Sequence, residues 1–299
     1  MYDIIIVGAG PAGLSAAIYS RRANKKTLVL EEKNYGGQII NTNCIENYPA
    51  ESGISGYDFA QKLYNQIKEL DAEIKFEKVI EIIDKNDYKE IKTTNDVYKS
   101  KTVILATGSE NRKLGLANEE EFTGKGISYC ATCDGAFYRN MEVAVVGGGN
   151  VAVEDAIYLS DIVKKVYLIH RRDYFRAEDV LIEKLKNKSN VEIIYNSNVT
   201  KLIGENKLDA IEVTGTNGTK IINVSGLFIA IGRVPKNQEF SKLVNVDDSG
   251  YIISNEDCNT NVSGIFVAGD NRVKGLRQLV TATSDGAVAA TEAVKYINK

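Results

Sequence analysis

Two cysteines, Cys130 and Cys133, stand three residues apart in the stretch YCATCDG, and Asp134 follows directly. A Cys-x-x-Cys pair can bind a metal, form a structural disulfide or act as a redox couple. A structural zinc needs four ligands, whereas the other two cysteines, Cys44 and Cys258, stand alone and the chain has a single histidine. We therefore expect no metal site. A structural or redox disulfide remains, and the flanking segments decide between them.

A glycine-rich turn opens the chain. GAGPAG follows an apolar strand-like stretch, and Gly8, Gly10 and Gly13 have the G-x-G-x-x-G spacing of a dinucleotide-binding turn. The first glycine allows a tight turn, the second lets the backbone approach a pyrophosphate, and the third lets helix and strand pack closely. Glu31 ends the next predicted strand, TLVLEE, where an acid binds a ribose 2′-hydroxyl. This segment predicts a site for FAD or NAD.

The same pattern recurs in the stretch MEVAVVGGGNVAVEDAIYL. Its small residues have the G-x-G-x-x-A spacing: Gly147, Gly149 and Ala152. The strand that follows ends at His170 without an acid, and three arginines come next: Arg171, Arg172 and Arg176. A guanidinium suits a 2′-phosphate, which a glutamate would repel. This turn therefore predicts an NADP(H) site, with His170 beside the adenosine and not acting as a catalytic base.

Two nucleotide sites beside a cysteine pair favour the redox couple. In such a pair one thiol becomes a thiolate and the other resolves a mixed disulfide. The carboxyl of Asp134 is placed to supply the proton that thiol formation requires. Asp270, which ends the buried stretch GIFVAGD, is placed to bind the polyol hydroxyls of a flavin cofactor at a sheet edge.

The length of 299 residues suits two domains. We predict an α/β protein with two Rossmann-like, three-layer dinucleotide-binding domains, the NADPH domain being inserted into a discontinuous FAD domain. The FAD domain is expected at 1–111 and 241–299, and the NADPH domain at 112–240. The closing stretch DGAVAATEAVKYI predicts a helix of small residues that packs against the first glycine turn.

Composition excludes several partners. The formal net charge of -3 leaves no basic footprint for nucleic acid. No apolar run approaches the roughly 18 residues that span a bilayer, and MYDIIIVGAG does not resemble a signal peptide. We expect a cytoplasmic protein.

The motifs together resemble the bacterial-type, low-molecular-weight thioredoxin reductases. GAGPAG, GGQ, CATCDG, GGGNVAVEDA, HRRDYFRA and GD…RQ occur in that family's order, and the resemblance covers essentially the whole chain. It implies a set of FAD contacts: Gln38, Asn47, Asp270, Arg277 and Gln278. It also implies that the three arginines bind the 2′-phosphate of NADPH. Cys133 would lie nearest the flavin, Cys130 would attack thioredoxin, and Asp134 would be the acid.

The resemblance further implies a homodimer and a rotation of one domain between half-reactions. Two departures stand out. Ala136 replaces the first of two adjacent aromatics that many relatives carry after the motif, and GLANEEEF replaces their Pro-Gly-Glu turn.

Two other hypotheses remain for the function. One is a flavoprotein that passes electrons to another acceptor: a thioredoxin-like or glutaredoxin-like protein, ferredoxin or oxygen. The other is a non-enzymatic nucleotide sensor. Neither the ferredoxin or oxygen reductase nor the sensor uses CATCD.

Overall fold

The computed structural model describes residues 1–42, 44–51, 53–216 and 218–299. It divides into two compact units, which are described separately. The first unit consists of Met1–Glu110 and Val234–Lys299, and the second of Asn111–Arg233. The chain therefore leaves the first unit once, builds the second, and returns.

The strands, numbered in chain order, are β1 Tyr2–Val7, β2 Thr27–Glu31, β3 Glu73–Phe76, β4 Val79–Asp84, β5 Lys89–Thr93, β6 Val97–Leu105, β7 Ser109–Asn111, β8 Ile127–Ser128, β9 Glu142–Gly147, β10 Lys165–Ile169, β11 Val191–Ile194, β12 Ser197–Ile203, β13 Ala210–Gly215, β14 Gly218–Asn223, β15 Gly226–Ala230, β16 Arg233–Pro235 and β17 Ile265–Val267. The α-helices are α1 Pro11–Arg22, α2 Gly56–Glu69, α3 Glu119–Phe122, α4 Ala131–Asp134, α5 Asn150–Ser160, α6 Asp179–Lys186 and α7 Leu279–Ile297. Short 3₁₀ helices cover Gly37–Asn41, Gly135–Tyr138 and Gln238–Phe240.

The first unit is built on a sheet with the order β3-β2-β1-β6-β5-β4, and β17 also pairs with β6. Strands β3, β2, β1, β6 and β17 run parallel, while β4 and β5 form an antiparallel extension. Val7 aligns with Leu105, and Leu105 with Val267. The loops that follow these three strands therefore emerge side by side at one edge of the sheet.

Apolar residues cover both faces of this sheet. On one face, Leu14 of α1 and Ala290 of α7 pack in a core with Ile4 and Ile104. The predicted helix of small residues is confirmed as part of α7. It packs closely on the first glycine turn, because a Cβ added at Gly286 would lie 2.1 Å from the carbonyl oxygen of Ala12. Helices α1 and α7 therefore pack backbone to backbone.

The opposite face holds a second core. It includes Val7 and Leu30 from the parallel strands, Ile91 from the antiparallel extension, and Phe240. The chain returns to the first unit at Val234, and Phe240 belongs to this core. A lone aromatic after a polar turn did not reveal this placement in the sequence.

The second unit has three layers. Its parallel five-stranded sheet has the order β11-β10-β9-β15-β8. Helices α5 and α6 cover one face through residues such as Val153 and Leu185. The antiparallel sheet β12-β13-β14 covers the other through residues such as Val213 and Ile222. This arrangement leaves the β9–α5 turn at the carboxyl edge of the parallel sheet.

The two chain crossings run side by side, because β7 pairs with β16 in a two-stranded sheet. Among the helices of the described ranges, none is long and apolar enough to cross a membrane.

Candidate active site

Cys130 and Cys133 form a disulfide bond in the structure, with their Cα atoms 5.3 Å apart. Cys130 is the residue before α4, and its carbonyl accepts a hydrogen bond of 3.1 Å from the amide of Asp134. All three residues are partly exposed. The helical turn thus brings the redox pair and the predicted acid together in the second unit.

The side chain of Asp134 is held by a serine that the sequence analysis did not single out. The hydroxyl of Ser128 donates to Oδ2 of Asp134 over 2.6 Å and accepts the amide of Cys130 over 3.1 Å. Tyr138 lies nearby, and its pKa is raised to about 12, first by burial and then by the negative charge of Asp134. The phenol therefore stays protonated at neutral pH.

Close packing fixes the motif on the second unit. A Cβ added at Gly135 would lie 3.0 Å from Leu159 and 3.2 Å from Tyr158 on α5. On the other side, the ring of Tyr138 meets Phe228 edge-on, with 5.3 Å between centroids. A side chain at position 135 would require Leu159 and Tyr158 to move, so the turn after the cysteines lies closely against α5.

GLANEEEF contains the buried carboxylate that organises the segment before the motif. Glu119 is only 3% exposed and accepts the amides of Leu114 and Gly115 over 2.9 and 2.8 Å. It also accepts the hydroxyl of Tyr129 over 2.8 Å. Burial, together with this hydrogen bond, raises the pKa of Tyr129 far above its usual range. Tyr129 precedes Cys130, so this bond ties the crossing segment to the redox pair.

The first glycine turn has the geometry that its spacing predicts. Gly8 has φ +107°, and a Cβ there would lie 2.4 Å from the carbonyl oxygen of Ala106. A Cβ at Gly13 would lie 1.9 Å from the Gly8 oxygen. At Gly10, in contrast, the nearest atom to an added Cβ is Cα of Gly37 at 3.9 Å. Gly8 and Gly13 therefore allow tight packing, and Gly10 leaves open space where a pyrophosphate would lie.

Glu31 lies at the carboxyl end of β2, as predicted. Its Oε2 accepts the amide of Ala9 over 2.8 Å, which fixes the carboxylate beside the glycine turn. An open cavity of about 340 Å³ lies here within the first unit, lined among others by Gly8, Glu31 and Thr107. The glycine turn has no room for further side chains at Gly8 and Gly13, and the Glu31 carboxylate is held beside it. This arrangement fits the adenosine diphosphate half of FAD.

The remaining predicted flavin contacts occupy the segments around this sheet edge. Asn47 donates to Oε1 of Gln278 over 3.1 Å, so these two residues, far apart in sequence, are brought together. Asp270 follows β17. Gln38 is exposed in the 3₁₀ helix Gly37–Asn41.

Arg277 adds an observation that bears on the cofactor. Its guanidinium stacks over the ring of Tyr251 at 4.1 Å. Its Nε is buried without a hydrogen-bond partner in the described residues. A buried donor in need of an acceptor fits a site completed by a bound group.

The second glycine turn closes tightly around Ala152. A Cβ at Gly147 would lie 2.4 Å from the carbonyl oxygen of Ala230 and 2.5 Å from Cβ of Ala152. Position 152 therefore requires a small side chain. No atom of the described residues lies within 4 Å of a Cβ added at Gly149, which leaves space for a pyrophosphate at the start of α5.

His170 is packed against this turn. The imidazole is only 5% exposed, and its Cε1 would lie 2.0 Å from a Cβ at Gly148. Its Nε2 lies 2.9 Å from the carbonyl oxygen of Tyr174. Burial lowers the pKa of His170, and the charges of the neighbouring arginines lower it further. A neutral, enclosed imidazole is suited to shaping the turn.

The arginines lie on the loop that covers the glycine turn. The amide of Arg176 donates to the carbonyl of Gly148 over 2.7 Å. Arg171 and Arg176 are exposed, while Arg172 donates to the hydroxyl of Tyr174 over 2.9 Å. The structure therefore places positive charge next to the second turn, opposite in character to Glu31 at the first.

Comparison with known proteins identifies the family. Residues 2–286 match the family described as pyridine nucleotide-disulphide oxidoreductase. The chain belongs to this family. Pyridine nucleotide-disulphide oxidoreductases combine the two nucleotide-binding units and the disulfide found here, so the predicted enzyme class and the predicted cofactors, FAD and NADPH, are confirmed.

Within the family, the chain is similar to thioredoxin reductases. It is 44% identical to the thioredoxin reductase of Listeria monocytogenes, covering 100% of this chain and 95% of the relative. It is 45% identical to that of Mycoplasma genitalium over 97% of this chain and 93% of the relative. The crystal structure of thioredoxin reductase from Streptococcus pyogenes matches with a TM-score of 0.95 and 40% identity, covering 100% of this chain and 98% of that one. These matches confirm the predicted resemblance and fold class.

Proposed function

We propose that this enzyme uses NADPH to reduce the disulfide of thioredoxin through FAD and the pair Cys130–Cys133. The observation that carries the proposal is the disulfide itself, with Asp134 in the same helical turn. This pair lies in the unit that carries the second nucleotide fingerprint. A structural disulfide would not require an acid held beside it.

The residues that would hold FAD are Gly8, Gly10, Gly13, Glu31, Gln38, Asn47, Asp270, Arg277 and Gln278. When bound, FAD would supply the chemistry that takes up a hydride and passes two electrons to a disulfide. The glycines admit its pyrophosphate, and Glu31, fixed by the amide of Ala9, binds a ribose with a free hydroxyl. This chain's residues thus orient the cofactor and contribute no redox chemistry of their own in the first unit.

The residues that would hold NADPH are Gly147, Gly149, Ala152, His170, Arg171, Arg172 and Arg176. The open space at Gly149 admits the pyrophosphate at the amino end of α5. The arginines supply charge-assisted hydrogen bonds to the 2′-phosphate. The proposed preference for NADPH over NADH rests on those arginines.

The cysteines and Asp134 carry out the second half-reaction. Two electrons break the bond between the sulfurs and leave Cys133 as a thiolate and Cys130 as a thiol, the latter protonated by Asp134. To attack thioredoxin, Cys130 returns that proton to Asp134. The resulting thiolate forms a mixed disulfide, which Cys133 resolves. The two sulfurs that thioredoxin releases take up two protons from water to become thiols, Asp134 keeps its proton for the next turnover, and the Cys130–Cys133 bond is restored.

We further propose that the enzyme is a cytoplasmic homodimer that binds neither nucleic acid nor a membrane. The family resemblance supports the homodimer, and the net charge of -3 argues against a nucleic-acid partner. Cys44 and Cys258 are free thiols, which suits a reducing compartment. Sedimentation of the purified protein tests the dimer.

The function is tested by mixing the purified enzyme with NADPH and a panel of small thioredoxin-like proteins. We expect a yellow protein that oxidises NADPH only when one of these disulfides is present. Cys130→Ser should abolish disulfide reduction and retain electron transfer from NADPH to a dye. Cys44→Ser, which removes a free and partly exposed thiol, is the matched control and should keep both activities. Disulfide reduction by Cys130→Ser would refute the proposal.

A further inference from the structure

Ser128 occupies a fixed position beside the redox motif. It ends β8, which pairs with β15 so that Ser128 aligns with Phe228. The residue is 4% exposed. Strand pairing and burial hold its hydroxyl in one place, although nothing in the motif CATCDG marks this residue.

The hydrogen bonds of Ser128 determine which way its hydroxyl points. The oxygen accepts the amide of Cys130 over 3.1 Å. Its single hydrogen has two acceptors within reach, Oδ2 of Asp134 at 2.6 Å and the carbonyl oxygen of Cys130 at 3.3 Å. The 2.6 Å contact to Asp134 lies within the ordinary range of O–H···O hydrogen bonds, whereas the 3.3 Å contact lies beyond it. The hydroxyl therefore donates to Asp134.

We propose that Ser128 is a positioning residue for proton transfer by Asp134. This inference rests on the function proposed above. By donating to Oδ2, Ser128 fixes the orientation of the carboxyl group that exchanges a proton with Cys130. The same donation serves both states, because a carboxyl oxygen accepts the hydroxyl whether or not the group carries a proton.

The proton balance of the step is as follows. When two electrons break the Cys130–Cys133 bond, the proton of the Asp134 carboxyl group moves to the sulfur of Cys130. Cys133 remains a thiolate, and Asp134 becomes a carboxylate whose Oδ2 still accepts the Ser128 hydroxyl. In the exchange with thioredoxin, the proton returns from Cys130 to the Asp134 carboxylate as the Cys130 thiolate attacks.

The experiment measures the two half-reactions of the FAD-loaded enzyme separately. Ser128→Ala should slow disulfide exchange with thioredoxin about tenfold, the low end of the loss of a hydrogen bond to a charged group. Flavin reduction by NADPH should change less than about twofold, which also reports that the variant is folded. Ser160→Ala is the matched control, since it removes another buried hydroxyl of the second unit, bonded to the carbonyl of Ile157. It should leave both rates unchanged.

A double-mutant cycle then asks whether Ser128 acts through Asp134. If it does, Ser128→Ala should add little to the slowing already caused by Asp134→Asn. Ser128→Thr, which keeps the hydroxyl, should restore most of the exchange rate. It also serves if the alanine variant fails to fold.

Three results would overturn the inference while leaving the proposed function intact. They are an unchanged exchange rate in Ser128→Ala, a full tenfold further loss in the Asp134→Asn background, and a folded Ser128→Thr variant that stays slow. If Asp134→Asn itself exchanged disulfides normally, the proposed role of Asp134 would fail first, and the inference with it.

Discussion

The backbone amide of Arg176 donates to the carbonyl of Gly148 over 2.7 Å. This bond joins the loop that carries the arginines to the glycine turn at the start of α5. The space for a pyrophosphate and the positive charge therefore belong to one surface of the second unit. Positive charge at this place favours a nucleotide with an additional phosphate.

The arginines should decide between the two nicotinamide cofactors. We expect Arg171→Ala and Arg176→Ala each to raise KM for NADPH tenfold or more, because each charge-assisted bond contributes roughly 1.5–3 kcal/mol. KM for NADH should hardly change, since NADH lacks the 2′-phosphate. Steady-state kinetics with both cofactors provide the test, and Arg22→Ala, an exposed arginine of the first unit, is the control. Equal losses with both cofactors would refute the 2′-phosphate assignment.

Alanine substitutions at the neighbouring glycines Gly148 and Gly149 should have different effects. In Gly148→Ala the new methyl group would lie 2.0 Å from the buried imidazole of His170, so we expect a loss of about 1–3 kcal/mol in stability. Gly149 has φ -101° and ψ -177°, which alanine adopts, and its Cβ position is open within the described residues. Gly149→Ala should therefore keep the parent Tm and raise KM for NADPH and NADH alike, because its methyl group occupies the pyrophosphate space. Thermal unfolding and kinetics separate these outcomes. A Gly149→Ala variant with unchanged KM would show that the pyrophosphate lies elsewhere.

Asp134 should act only in the disulfide half-reaction. We expect Asp134→Asn to slow thiol–disulfide exchange by roughly 10²–10⁴-fold, the usual effect of losing a general acid. Flavin reduction by NADPH should be intact. Rapid-mixing measurements of each half-reaction test this, with Asp161→Asn as control because Asp161 is an exposed carboxylate of the same unit. An unchanged exchange rate would mean that water or another group delivers the proton.

Local motifs were predictable because their chemistry depends on residues close in sequence. The tight contacts at Gly8, Gly13 and Gly147 follow from the spacing alone. Tertiary contacts were not predictable in the same way. The bond from Ser128 to Asp134 spans a turn whose shape depends on Gly135 packing on α5.

The segment GLANEEEF shows the same limit. Its missing Pro-Gly-Glu turn was visible in the sequence. The sequence did not show that the Glu119 carboxylate satisfies two backbone amides and Tyr129 in a buried site. Likewise, Asp285 on α7 binds Arg272 and Lys274 in a buried ion cluster, although it lies 13 and 11 residues from them in the sequence. Burial of charge depends on partners that only the fold brings together.

Asp155 on α5 should make stability depend on pH. Its pKa is raised from the model-peptide value of 3.8 to about 7, first by burial and then by the charge of Glu154, while Arg233 opposes the shift. A carboxyl with a raised pKa is neutral and tolerated at low pH, so the parent loses stability as pH rises from about 4 to about 7. Asp155→Asn removes this titration. It should be more stable than the parent by on the order of 2 kcal/mol at pH 8 and gain much less at pH 5. Equal Tm differences at both pH values would contradict the assignment.

An anaerobic reductive titration tests most directly whether the enzyme stores electrons in both a flavin and the pair Cys130–Cys133. A disulfide and a flavin each take two electrons, so the parent should accept about four electrons per chain before its absorbance stops changing. Cys130→Ser should accept about two, with full bleaching of the flavin. If the parent also accepted only two electrons, the cysteine pair would not be in redox contact with the flavin, and the proposed electron route would be wrong.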